Sequence, residues 1–187
     1  SVVRPNGPSR ATGGRLFVWA VSLEAMTDLF ERLRLALAPQ YQLERELASG
    51  GMGIVYIGHD PALRRQVAIK LLRPELATAT AAARFLTEAR LLAKLNHRAV
   101  VTIYQAGEAD GLFYYVMELV PGETLAERLA RGPPLDERHL VSLARSLLDG
   151  LEAVHQFGIV HRDLKPANIL FRGEQAVISD FGIALSD

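Results

Sequence analysis

The chain has 187 residues, 49% of them hydrophobic and 22% charged, proportions that suit an ordinary globular fold with enough apolar side chains for a core. Its 21 Lys and Arg balance 21 Asp and Glu, so no net field favours nucleic acid or an anionic membrane surface. Cysteine is absent, which excludes disulfides and zinc–thiolate sites and fits a reducing, cytoplasmic setting.

Residues 1–25 open with a Pro-, Gly- and Arg-rich stretch that has no apolar period, and disorder is expected there. A second reading makes Met26 the natural start and this stretch an upstream tail. The uncharged run Leu16 to Leu23 is far shorter than the roughly 20 residues of a membrane-spanning helix. Export is the weaker reading, because no small-x-small cleavage site follows the run. Over 26–40 the pattern becomes regular. Leu29, Leu33, Ala36 and Leu37 recur at helical spacing after Thr27, a candidate N-cap, which predicts a short amphipathic leader helix.

Tyr41 to Leu47 and Ile54 to Gly58 read as strands joined by Ala48-Ser49-Gly50-Gly51-Met52-Gly53. Glycine has no Cβ, so such a hairpin lets backbone amides approach a polyphosphate, although a plain flexible turn has the same composition. On the next strand, Val67-Ala68-Ile69-Lys70, alternation buries Val67 and Ile69 on one face and turns Ala68 and Lys70 to the other. Thr80 to Leu95 then reads as a helix with Phe85, Ala89, Leu92 and Leu95 on one stripe. Glu88 falls on its packed side and needs a cation. Lys70 is the expected partner, with Arg84 and Arg90 as local alternatives.

Leu112 to Val120 is a β-rich run after the turn Glu108 to Gly111, and Pro121-Gly122 ends it. Thr124-Leu125-Ala126-Glu127 has the form of a capping box. Leu135 to His155 predicts a long helix with Asp136 as N-cap and Leu140, Leu143, Leu147, Leu151 and Val154 on its apolar side. Strands come first and helices second, an α+β pattern with a cleft at the joint.

Pro166 breaks any helix through His161-Arg162-Asp163-Leu164-Lys165-Pro166-Ala167-Asn168, which places Asp163, Lys165 and Asn168 on a loop. The strands Ile169 to Phe171 and Ala176 to Ile178 then return Asp180-Phe181-Gly182 to the same place. Phosphoryl transfer asks for positioning and charge neutralisation more than covalent chemistry. A carboxylate to orient a hydroxyl, a lysine for the transferring phosphate, and an amide plus a second carboxylate for Mg²⁺ are the groups it needs. His161, His97 and His155 read as structural.

These motifs resemble the eukaryotic-like protein kinases, and Gly-Gly-Met-Gly-Ile-Val-Tyr with His-Arg-Asp-Leu-Lys-Pro-Ala-Asn is most similar to the bacterial serine/threonine kinases. The likeness runs from about Tyr41 to Ala184. It implies a protein-kinase-like α+β fold, with an antiparallel β N-lobe carrying one main helix over 41–120 and the first, mostly helical part of a C-lobe over 121–187. It implies ATP and Mg²⁺ as cofactors and a protein Ser/Thr hydroxyl as acceptor. Asp163 is then the base and Lys165 the γ-phosphate contact, with Asn168 and Asp180 as metal ligands. The ATP-binding set is Ala48, Gly50, Gly51, Gly53, Val55, Ala68, Lys70, Glu88, Met117, Glu118, Val120 and Leu170. Within it Lys70 meets the α- and β-phosphates and pairs with Glu88, Met117 is the gatekeeper, and Glu118 and Val120 offer backbone groups to adenine. Leu92, His161 and Phe181 belong to the packed column of the active state.

Ala48 departs from the usual first loop glycine, and Arg98 from the usual proline. The activation segment and Ala-Pro-Glu do not follow within 187 residues, which leaves Arg162 without a loop phosphate to meet. An exposed apolar face on the long helix and marginal stability of the isolated chain are expected. The rival function is a non-catalytic nucleotide-binding or interaction module. No nucleic-acid partner and no membrane segment is expected, and the oligomeric state has no signature in the sequence.

Overall fold

A computed structural model describes residues 28–51, 53–132 and 136–182. The proposed tail over 1–25, the Thr27 cap and Met52 lie outside them. Helix α1 covers 28–37. There follow β1 (Gln42–Ser49), β2 (Gly53–Asp60), β3 (Arg65–Leu72), α2 (Ala79–Leu92), β4 (Ile103–Ala109) and β5 (Leu112–Glu118). The second part holds α3 (Leu125–Arg131), α4 (Glu137–Gln156), β6 (Ile169–Arg172) and β7 (Gln175–Ile178).

The first five strands form one antiparallel sheet in the order β1-β2-β3-β5-β4. Strand alternation divides its side chains between two cores. Val67, Ile69 and Leu71 of β3 join Ile54, Tyr56 and Val116 on the outer face, and α1 closes that face with Leu33 and Leu37, 0% and 3% exposed. Burial of each leucine is worth about 1.5–3 kcal/mol. The Phe30 and Tyr56 rings lie 5.5 Å apart, and Arg32 reaches Asp110 in the β4–β5 turn at 3.1 Å.

On the other face Ala68 and Leu72 meet α2. Its Thr78 side chain accepts from Ala81 N, and Ala82, Phe85, Ala89 and Leu92 form the buried stripe. The helix ends at Leu92, three residues before the periodicity suggests, and Leu95 packs from the following turn. The segment after α2 then adds to β7: Val101 N donates to Ile178 O, and Ile178 N to Ala99 O. One apolar core thus runs from α2 through this segment to Val154 of α4 and to Val177, Ile178 and Phe181.

Strand β4 has no counterpart in the sequence expectation. Its Gly107 and two alanines give little β propensity, and most of it is half-buried. Asp110 and Gly111, both at positive φ, turn the chain into β5. Both expected caps form: Thr124 and Glu127 make the reciprocal capping box of α3, and Asp136 Oδ1 accepts from His139 N at 2.8 Å to start α4. On α4, Val154 is buried and Leu143, Leu147 and Leu151 are half-buried against the lower core, whereas Leu140, Val141 and Leu148 are exposed. No helix among the described residues is long and apolar enough to cross a membrane.

Candidate functional site

A cavity of about 420 Å³ opens between the sheet and the second part of the chain. Eight of the expected residues line it: Ala48, Val55, Ala68, Met117, Glu118, Val120, Leu170 and Asp180. Val55 and Ala68 form the roof from β2 and β3, and Leu170 is on β6. The chain between Glu118 and Thr124 forms one wall. There Gly122 runs so close to β6 that an added Cβ would overlap the Phe171 carbonyl. Ile57, Val101 and Ser179 also line the cavity without belonging to any motif, as does Ala167, which lies inside the loop motif without an assigned role. Their only sequence signal is a place beside motif residues or on the same strand face.

The glycine turn is held from within. Gly50 N donates to Gly53 O at 2.9 Å, and Arg73 reaches back to Gly50 O at 2.7 Å and Ser49 Oγ at 2.8 Å. At Gly53 the glycine is required by the protein itself, because a Cβ would lie 2.5 Å from the Leu71 carbonyl oxygen. Gly50 faces only the Gly53 carbonyl at 4.0 Å, and Gly51 meets nothing within 4 Å.

Lys70 is almost fully buried and donates to Asp180 Oδ1 at 2.8 Å, across 110 residues of chain. Burial lowers its pKa, but the Tyr115 hydroxyl and the Asp180 carboxylate more than reverse this, and the group stays raised and cationic. Glu88, with 18% of its side chain exposed, pairs with Arg162 at 3.2 Å. The expected Lys70–Glu88 ion pair is therefore not formed. Two cations and two carboxylates share one neighbourhood, and the buried ammonium takes the carboxylate delivered after β7. Glu88 takes the longer guanidinium.

The catalytic-type loop is closely tied. Asn168 Nδ2 donates to Asp163 O at 2.8 Å and Oδ2 at 3.0 Å, and Lys165 Nζ donates to the same Oδ2 at 2.8 Å. The Lys165 hydrogen bond is the main reason the Asp163 carboxyl lies below the usual range. His161 is buried, packs in a tilted arrangement against Phe181 with ring centroids 4.6 Å apart, donates from Nε2 to Ser179 O at 2.9 Å and accepts from Asp163 N at Nδ1. That tautomer is neutral, and burial lowers its pKa further. Its role is to brace the loop, as the sequence suggests. Arg162 and Asp180 both adopt positive φ, +62° and +55°, a strained geometry for residues with side chains.

The protein kinase domain family matches residues 41–186. The chain belongs to the protein kinase family. It is 48% identical over 155 residues to serine/threonine-protein kinase pkn2 of Myxococcus xanthus, covering 80% of this chain and 19% of that protein. It is 39% identical over 150 residues to PrkC of Bacillus subtilis, covering 79% and 23%. Among solved structures it is similar to the Mycobacterium tuberculosis PknI kinase domain (C20A mutant), with TM-score 0.70 and 29% identity over 79% of this chain and 61% of that one. The kinase chain thus spans about a fifth of the length of these curated relatives. Helix α1 lies outside the family match. The pairing of Lys70 with Asp180 and of Glu88 with Arg162, and the grip of Arg73 on the glycine turn, are features of this chain that motif spacing does not encode.

Proposed function

We propose that this chain forms the ATP-handling cleft of a cytoplasmic serine/threonine protein kinase, which transfers the γ-phosphate to a protein hydroxyl. The observation that carries the reading is that Asp180, which lines the apolar cavity, holds Lys70, while Asn168, bonded through its backbone carbonyl to neighbouring Ser179, gathers Asp163 and Lys165 beside it. The volume and apolar lining suit a nucleobase, and the cations suit its phosphates.

The residues present fit Mg·ATP. Asn168 turns its amide nitrogen to Asp163, which leaves its oxygen as a hard donor, and Asp180 commits only Oδ1 to Lys70. Bound Mg²⁺ would neutralise phosphate charge. Asn168 and Asp180 are its proposed ligands, and Lys70 the proposed phosphate contact beside the glycine turn of Gly50, Gly51 and Gly53. Val55, Ala68, Met117 and Leu170 enclose the base, and the backbone of Glu118 and Val120 meets its edge. Asp163, ionised at neutral pH, orients the acceptor hydroxyl and takes its proton as the new O–P bond forms and the bond to the leaving diphosphate breaks. Lys165, already on Asp163, is placed to counter the charge on the transferring group.

The Glu88–Arg162 pairing favours a second reading, a nucleotide-binding module without turnover, because Lys70 here lacks its expected helix partner. Transfer decides between the two. Calorimetry should show Mg-dependent ATP binding by the chain that weakens in D180N. Radiolabelled phosphate should reach a Ser/Thr peptide in the protein that carries this chain and be abolished in D163N. Binding without D163-dependent transfer would leave only the second reading, and no binding would end both.

A further inference from the structure

The wall of the cavity is fastened to β6 at two places. At its far end the fastening is backbone: Phe171 N donates to Glu123 O at 3.0 Å, Thr124 bridges Leu170, and Gly122 lies against the Phe171 carbonyl. At its near end it is a single side chain. Arg172, the last residue of β6, places Nη2 2.6 Å from both carboxylate oxygens of Glu118, the last residue of β5. Its Nη1 reaches the Arg98 carbonyl at 3.4 Å, and the Arg98 guanidinium in turn pairs with Asp149 of α4 at 3.1 Å. One guanidinium thus ties three segments together: the end of the sheet, the loop after α2, and the hairpin beneath the cavity.

Between the two fastenings run Leu119, Val120, Pro121 and Gly122, all of which line the cavity. Backbone bonds hold the far end whatever the side chains are. The near end has Glu118 N on Thr102 O at 2.9 Å and the β3 pairing on the sheet side, but its fastening to β6 is Arg172 alone among the described residues. Both members are partly shielded, with 39% and 23% of their side chains exposed, so the pair is stronger than an open surface contact and weaker than a buried one.

We infer that Arg172 is a positioning residue for base recognition: by gripping Glu118 it fixes the wall residues 118–122 at the separation from Leu170 and Val55 that admits a flat heterocycle. It touches no part of the nucleotide itself. Arg98, a loop residue with no evident role in the chemistry, supports it through its carbonyl. The inference rests on the adenine-nucleotide reading of the cavity. When the grip is lost the wall samples other positions, and the apparent dissociation constant rises by the inverse of the fraction still correctly placed. A partly exposed charge-assisted pair is worth enough to change that fraction roughly threefold to fivefold.

Adenosine, which has no phosphate and needs no metal, is the probe. Its affinity, and that of ATP with Mg²⁺, is measured by calorimetry for the unaltered chain, R172M, R172K, E118Q and the double variant E118Q/R172M. R172M should weaken adenosine and ATP by the same threefold to fivefold. R172K should fall between, since it keeps the charge but cannot hold Glu118 and the Arg98 carbonyl from two separate nitrogens. The double variant should be no weaker than R172M, because both changes break one contact. Adenosine affinity in R172M within 1.5-fold of the unaltered chain, even with a lowered melting temperature, would overturn the inference and leave Arg172 structural. Additive losses in the double variant would overturn it as well. Failure of the unaltered chain to bind adenosine or ATP would instead overturn the cleft reading itself, and this inference with it.

Discussion

The contact between Lys70 and Asp180 makes the two members unequal, and the inequality can be measured without nucleotide. The Lys70 side chain is 10% exposed and that of Asp180 31% exposed, with 2.8 Å between them. Replacing Asp180 by Asn keeps the shape but leaves a buried ammonium without a counter-ion. A fully buried pair broken this way costs about 3–5 kcal/mol. The partial exposure of Asp180 reduces that to about 2–3 kcal/mol, because water reaches the site from its side. Replacing Lys70 by Met leaves a carboxylate that water already reaches and fills the lysine's channel with an apolar chain, at a cost of about 1 kcal/mol. The double variant has no buried charge and should lie near K70M. At about 2–4 °C per kcal/mol for a chain of this size, D180N should melt roughly 4–12 °C lower and K70M only a few degrees lower. Urea unfolding of the three variants, compared at equal slope, checks the order. A K70M loss equal to or larger than that of D180N would refute the asymmetry, and so would a double variant worse than D180N.

Three further outcomes follow from the packing. G122A should cost about 3 kcal/mol or more and weaken adenosine binding, since its methyl must push the wall off the Phe171 backbone; near-normal melting by calorimetry would show that the close approach is not maintained. L33D should cost about 3 kcal/mol or more by unfolding in urea, because it breaks the outer core beneath α1, and an unchanged midpoint would mean α1 does not dock. His161 is held neutral with its pKa below 6.5, so its contribution is present in full above 6.5 and is lost as the pH falls through and below that value, where the unfolded chain takes up the proton first. Melting between pH 7.5 and 5 should therefore fall more steeply in the unaltered chain than in H161N, and parallel curves would refute this.

Much of this arrangement is legible in the residues. Capping chemistry is local, so Thr124 with Glu127 and Asp136 mark helix starts that the structure reproduces. The alternation at Val67 to Lys70 assigns faces correctly, because a strand's period leaves no choice once Ile69 is buried. Strand β4 is not legible, since it is held by its neighbour β5 rather than by its own propensity. The walls of the cavity are legible only where a motif reaches them.

The ionic partners are the deeper case. Spacing brings Lys70, Glu88, Arg162 and Asp180 to one place, and two complete pairings satisfy the same two cations and two carboxylates. Neither leaves a charge unpaired, so residue type cannot choose between them. The choice lies in how α2 sits against the catalytic-type loop, a tertiary placement that no local pattern records. Glu88 remains partly shielded on Arg162, and Lys70 remains buried on Asp180, so each pair meets the requirement that a desolvated charge have a partner. By charge alone the four residues admit two pairings, and the structure adopts the one that gives the most buried cation, Lys70, to Asp180 and leaves Glu88 to the more exposed Arg162.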